Sequence, residues 1–152
     1  MQKQRGFEII NSEFKKNKCS VMWPIRKTKM SAGYDLLLPI DINLKPKEQK
    51  LVWLDIKAYM QPSEVLLIYI RSSMAIKYNL SLANHVAVID ADYYANPGND
   101  GNIGICLRNN SKHTLSFSKG TAVAQGIFMN YLIADNCNSD IARVGGVGST
   151  DE

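Results

Sequence analysis

The apolar run Val86-Ala87-Val88-Ile89 ends in a carboxylate, Asp90, and an aromatic ring, Tyr93, follows shortly after. Turn residues come next, in Ala95-Asn96-Pro97-Gly98-Asn99-Asp100-Gly101. A strand that delivers an acid and a ring and then turns back as a hairpin would frame a small-molecule pocket. Its one catalytic group would be able to accept a proton. Four further segments carry chemistry. Ala32-Gly33-Tyr34-Asp35-Leu36 sets an acid behind a glycine turn. Arg71-Ser72-Ser73 opens a short helical stretch, Ser73 to Tyr78, with serine as its N-cap. A guanidinium, two hydroxyls and free backbone N–H groups meeting at that point suit a phosphate. Gly120-Thr121-Ala122-Val123-Ala124-Gln125 places one amide, Gln125, in an apolar strand, a setting typical of a satisfied edge residue. Arg143-Val144-Gly145-Gly146-Val147-Gly148-Ser149-Thr150 is a glycine-rich stretch with its own cation, able to wrap a phosphate. Each segment alone also has a plainer reading: a surface acid, a capped helix, a loose chain end.

Sheet elements must position these groups. Strands are expected over Leu51 to Ala58, Glu64 to Ile70, Ile103 to Leu107 and Thr121 to Met129, and all five prolines fall between such runs. The spacing predicts an all-β fold with one short helix, as a single domain over residues 1–136. A tail over 137–152 has too little to bury and should be mobile unless something docks it.

Composition narrows the function. With 152 residues, 45% hydrophobic and 21% charged, the chain can bury a real core. A net charge of +4 suits an anionic substrate but is too small to argue for nucleic acid, so no direct nucleic-acid partner is expected. Cys19, Cys106 and Cys137 are far apart, which argues against a disulfide framework and for reduced thiols in a cytoplasmic protein. Cys106 reads as a small buried hydrophobe. His85 and His113 form no zinc-ligand spacing. The apolar run Val65 to Ile70 is far shorter than a membrane span, and the polar N-terminus, with only a short apolar patch at Phe7 to Ile10, is not expected to act as a signal peptide.

In order along the chain, the segments around Asp35, Arg71-Ser72-Ser73, Asp90 to Tyr93, Gln125 and Arg143 to Thr150 resemble the five motifs of the trimeric dUTP pyrophosphatases, the dUTPases. The stretches Lys57 to Pro62 and Asp92 to Asn99 look most like members from low-GC Gram-positive bacteria and their phages. The resemblance implies a jelly-roll-like subunit, a homotrimer with active sites shared between subunits, and Mg²⁺-dependent hydrolysis of dUTP to dUMP and pyrophosphate. It gives Asp90 the role of activating the water that attacks the α-phosphorus. It sets Tyr93 under the deoxyribose, where it excludes a 2′-hydroxyl. Asn84 and the backbone around Asn96, Gly98 and Asn99 would read uracil. Arg71, Ser72, Ser73 and Gln125 would hold the triphosphate. Asp35 would stand near the magnesium's water shell, with no direct protein ligand. Arg143, Val147, Ser149 and Thr150 would close over the nucleotide from another subunit.

The chain departs from the family pattern in several places. Ala87 and Ala95 stand where glycine is usual, Ala122 where arginine is, and Val147 where a stacking phenylalanine is. Asp151 replaces the final glycine, and Arg143 lies one residue nearer the Gly-Gly pair. These changes motivate a rival, a dUTPase-like nucleotide-binding or regulatory protein with weak turnover. A second rival, dCTP deaminase, shares the Arg-Ser-Ser motif, but its catalytic glutamate would fall in Ile103 to Leu107, where there is no acid.

Overall fold

Short apolar runs, cut by prolines and turn residues, pair into antiparallel sheets in the computed structural model, which describes residues 3–137 and 139–147. The strands are β1 (Gly6–Ile9), β2 (Tyr34–Leu37), β3 (Ile42–Leu44), β4 (Gln49–Trp53), β5 (Ile56–Tyr59), β6 (Glu64–Ile70), β7 (Leu80–Leu82), β8 (Ala87–Asp90), β9 (Gly104–Asn109), β10 (Leu115–Phe117) and β11 (Ala122–Asn130). A four-stranded sheet runs β2-β11-β6-β8 and a three-stranded sheet runs β4-β9-β7. Two-stranded pairs, β1-β5 and β10-β3, complete the fold. Inward-facing Leu36, Leu66, Ile68, Leu82, Ile105 and Leu107 are almost completely buried in one continuous core. Each contributes on the order of 1.5–3 kcal/mol of burial. The all-β, jelly-roll-like expectation with one short helix, α1 (Ser72–Tyr78), holds.

Four local readings need correction. The segment after Asp90 is not a hairpin: β8 pairs with β6, while β9 pairs with β4 and β7 in a different sheet. The chain instead makes a 3₁₀ turn, Ala91–Tyr93, and crosses between sheets through the asparagine-rich loop. The run Leu51 to Ala58 is likewise two strands in two sheets, broken at Asp55, whose φ is +57°. The Asp55 carboxylate accepts the backbone N–H groups of Lys16 and Asn17, each at 2.9 Å, and the Asn102 amide at 3.1 Å. That network outweighs the apolar periodicity. Third, no serine caps α1. Arg71 is the N-cap residue, and its carbonyl accepts the Met74 and Ala75 N–H groups, so the hydroxyls of Ser72 and Ser73 have no capping role. Fourth, Cys106 is only partly buried, on β9.

A buried ion pair braces the crossing loop. Lys57 on β5 donates to both carboxylate oxygens of Asp100 at 2.9 Å, and the Asn11 N–H reaches Asp100 at 2.7 Å. The Tyr94 ring lies 4.9 Å from the Lys57 ammonium. The Tyr94 hydroxyl donates to Glu8 at 2.6 Å, and that carboxylate, together with burial, pushes the phenol up to about 12. Ala95 holds φ at +54°, a conformation that glycine adopts without steric cost, which explains why glycine is usual there.

Candidate active site

Asp35 on β2 stands opposite Gln125 on β11, which in turn stands opposite Tyr69 on β6. This row fixes a polar cavity of about 340 Å³, which Arg71 and Ser72 close from the end of β6. β11 lies in the middle of its sheet, so Gln125 is not the edge residue that its apolar surroundings suggested. A side chain at Gly33 would put its Cβ 2.6 Å from the Gln125 amide oxygen, so the Gln125 amide would have to turn away from its present position. The Arg71 guanidinium lies 3.2 Å from Asp35 and donates to the Ala122 carbonyl at 3.2 Å. The other Asp35 oxygen is buried without a hydrogen-bond partner among the described residues, an acceptor held ready for a donor. Ser73 is partly buried in the first turn of α1. The arrangement offers a cation, a hydroxyl and an amide to an anion, beside one carboxylate.

The second group of residues lies elsewhere. Asp90 ends β8 with its side chain about half exposed. Tyr93 is buried in the turn that follows, where its hydroxyl donates to the Asn102 carbonyl at 2.8 Å and accepts from the Asn99 amide at 2.7 Å. Burial pushes the Tyr93 phenol up, against the lowering effects of Asn99 and Arg143. The Asn96 side chain donates to the Tyr93 carbonyl at 2.7 Å and accepts the N–H groups of Gly98 and Asn99 at 3.0 and 3.1 Å. Asn96 and Asn99 therefore shape the loop with their side chains, which leaves backbone groups to meet a ligand. Gly101, at φ +80°, closes it, and a Cβ there would lie 2.8 Å from the Tyr93 carbonyl.

These two groups do not meet within one chain. Asp90 pairs with Val65 at the start of β6, whereas Arg71 follows the other end of that strand, six residues on from Val65. At ~3.3 Å per residue, the two ends are ~20 Å apart. Asn84, exposed in the turn before Ala87, lies toward the Arg71 end, because Ala87 pairs with Ile68. An apolar groove of about 860 Å³ borders Asp90 instead, lined by Val65, Leu67, Val88, Met129 and Tyr131. Val88 and Met129 are half-exposed in it, a large apolar surface for a free chain.

The tail docks on its own chain. Arg143 donates to Asp90 at 2.5 Å and to Asp92 at 2.8 Å, with its guanidinium carbon 5.7 Å from the Tyr93 ring centre. Gly145 and Gly146 pass close over Gly98 and Asn99, where side chains would clash. Val147 points into solvent, 81% exposed. Ser149 and Thr150 lie outside the described residues. Sequence reasoning missed Asp92, which shares Arg143 with Asp90, and the Lys57–Asp100 brace. The Asp-x-Asp spacing was a visible signal for the first, but the partners of the second are 43 residues apart.

The fold and the two polar groups describe a β protein with a cavity suited to an anion, and comparison with known proteins is specific. The dUTPase family model matches residues 20–150. The deoxyuridine 5'-triphosphate nucleotidohydrolase of Lactococcus lactis is 42% identical over 150 residues, covering 97% of this chain and 98% of that protein. The Corynebacterium diphtheriae protein of the same name is 33% identical, covering 84% of each. The crystal structure of dUTPase from Streptococcus mutans superposes with a TM-score of 0.75 at 38% identity, covering 86% of this chain and 99% of that one. The chain belongs to the dUTPase family.

Proposed function

We propose that Asp90 of one copy and the Asp35–Arg71–Gln125 cradle of another form a single site for dUTP. The reaction is hydrolysis of dUTP to dUMP and pyrophosphate. The observation that carries the shared site is the separation of the two groups along β6. The attacked phosphorus must touch both the water held by Asp90 and the phosphate cradle, and one chain keeps these ~20 Å apart. The apolar groove beside Asp90 is the surface on which a second copy sits, and by family the assembly is a homotrimer.

Within that site the roles follow from chemistry. The Asp90 carboxylate accepts from the attacking water and takes its proton. Arg71, Ser72, Ser73 and Gln125 hold and orient the phosphates. A bound Mg²⁺ would supply charge neutralisation at the phosphates, and Asp35 is the residue that would stand beside it. The partnerless Asp35 oxygen fits an outer-sphere role, as it can accept from a water in the ion's shell. Among the described residues no group of three or more His, Cys, Asp or Glu side chains could hold a metal directly. Uracil is read by the backbone around Asn96, Gly98 and Asn99, with Asn84 arriving from the cradle end. No helix among the described residues is long and apolar enough to cross a membrane.

Tyr93 sets sugar selectivity by shape. Its buried, doubly hydrogen-bonded ring has no freedom to move away from a 2′-hydroxyl. Tyr93→Ala should narrow the preference for dUTP over UTP, read as the ratio of kcat/KM values on folded protein. A folded variant that rejects UTP as strongly as the parent would place selectivity elsewhere.

The tail exchanges partners on binding. Arg143 moves from Asp90 and Asp92 to the substrate phosphates. Truncation after Asp140 should leave the assembly intact and lower kcat/KM by about 10–100-fold, the scale of one charge-assisted contact. Unchanged hydrolysis by the truncated protein would remove the tail from the site.

Pyrophosphate and ammonia release from dUTP, UTP and dCTP, with Mg²⁺ or with chelator, tests the reading as a whole. Pyrophosphate from dUTP that stops on chelation is expected. Ammonia from dCTP, or no turnover of any substrate, would contradict it.

A further inference from the structure

Within one chain, and before Arg143 of the tail is counted, the polyphosphate cradle is short of positive charge. Its guanidinium, Arg71, already faces Asp35 at 3.2 Å and the Ala122 carbonyl at 3.2 Å, so much of its charge is balanced inside the protein. A nucleoside triphosphate brings several negative charges to this cavity. Besides Arg71, one lysine lines the cavity wall: Lys27. No carboxylate pairs with Lys27 among the described residues, and its side chain is exposed.

Its position is fixed from both sides. Ile25, two residues before it, exchanges backbone hydrogen bonds with Asp35 at 3.0 and 2.8 Å, which ties the loop to the acid of the cradle. Beyond it the loop is closed on itself. Arg26 donates to the Lys29 carbonyl at 2.6 Å, the Thr28 and Ser31 hydroxyls meet at 2.6 Å, and the Ser31 N–H reaches the Thr28 carbonyl at 3.2 Å. The loop therefore presents Lys27 at the cavity rim with its backbone already ordered, so that binding has only the side chain left to fix. A lysine ammonium is a compact point charge on a flexible stem, suited to the freely rotating end of a phosphate chain.

We infer that Lys27 is a substrate-binding residue that grips the phosphates beyond the one attacked and so favours a triphosphate over the monophosphate product. This rests on the assignment of the cavity to the triphosphate. The charge acts on ground state and transition state alike, so its loss raises KM and leaves kcat nearly unchanged.

The experiment compares parent, Lys27→Gln, Lys27→Arg and Lys29→Gln, each checked by thermal melting. Lys29 is in the same loop but does not line the cavity, so it controls for general loop charge. Lys27→Gln should raise KM for dUTP and the inhibition constant of pyrophosphate by ~10-fold, with kcat within about twofold and dUMP inhibition unchanged. Lys27→Arg should restore most of the KM. If KM stays within about twofold of the parent in Lys27→Gln, or if dUMP or the Lys29 variant shifts equally, the inference is wrong. A parent that does not hydrolyse dUTP would instead overturn the functional reading, so the two failures are distinguishable.

Discussion

Asp90→Asn will fold and assemble like the parent but lose at least ~10²-fold in dUTP turnover, the scale of removing a general base. Asparagine keeps the size and one acceptor oxygen, so β8 and its pairing with β6 are undisturbed. What it cannot do is take the proton of the attacking water. The residue is half exposed and its partner in the free chain is Arg143, which asparagine still meets as an acceptor. Nucleotide affinity should therefore change far less than kcat. Steady-state kinetics alongside titration with a non-hydrolysable dUTP analogue separates the two quantities. Near-parental turnover would take Asp90 out of the chemistry.

The second large effect is structural. Asp100→Ala leaves the Lys57 ammonium buried without a counter-charge and the Asn11 N–H without its acceptor. Breaking a buried pair from one side costs about 3–5 kcal/mol. Alanine is also strained at φ +57°, where aspartate is better tolerated. Thermal melting should fall by about 10 °C, and turnover should fall with it because the same loop holds Tyr93. Lys57→Met combined with Asp100→Asn removes the buried charge and should recover part of the loss. A melting point for Asp100→Ala within about 2 °C of the parent would show that the brace is not what holds the loop.

Sequence reading succeeded where the signal was local. Val65 to Ile70 is an apolar run rich in β-branched residues, and with Glu64 before it, it forms β6 (Glu64–Ile70). Ser73 to Tyr78 is helical with one residue added, and Asp90 ends its strand as expected. It failed where side chains distant in sequence decide the path. Asp55 breaks an apolar run because Lys16, Asn17 and Asn102 supply its hydrogen bonds. The loop after Tyr93 crosses between sheets because Asn96, Asn99 and the Lys57–Asp100 pair hold it there, which no periodicity reveals. The site behaved in the same way. Its groups were legible as motifs, but their division between the two ends of β6 required the strand register. Nothing local in the sequence ties Lys27 to the cradle; the Ile25–Asp35 bridge brings it there.

The central claim is that each active site takes Asp90 from one copy and Arg71 from another. Asp90→Asn and Arg71→Ala subunits, each nearly inactive alone, can be co-refolded at equal ratio. Random assortment into a symmetric oligomer should then rebuild about one quarter of the sites with both groups intact. The account predicts that dUTP hydrolysis rises to about that fraction of the parental rate. If mixed oligomers form and their activity stays at the sum of the two inactive parents, both groups act from the same chain and the shared site is wrong.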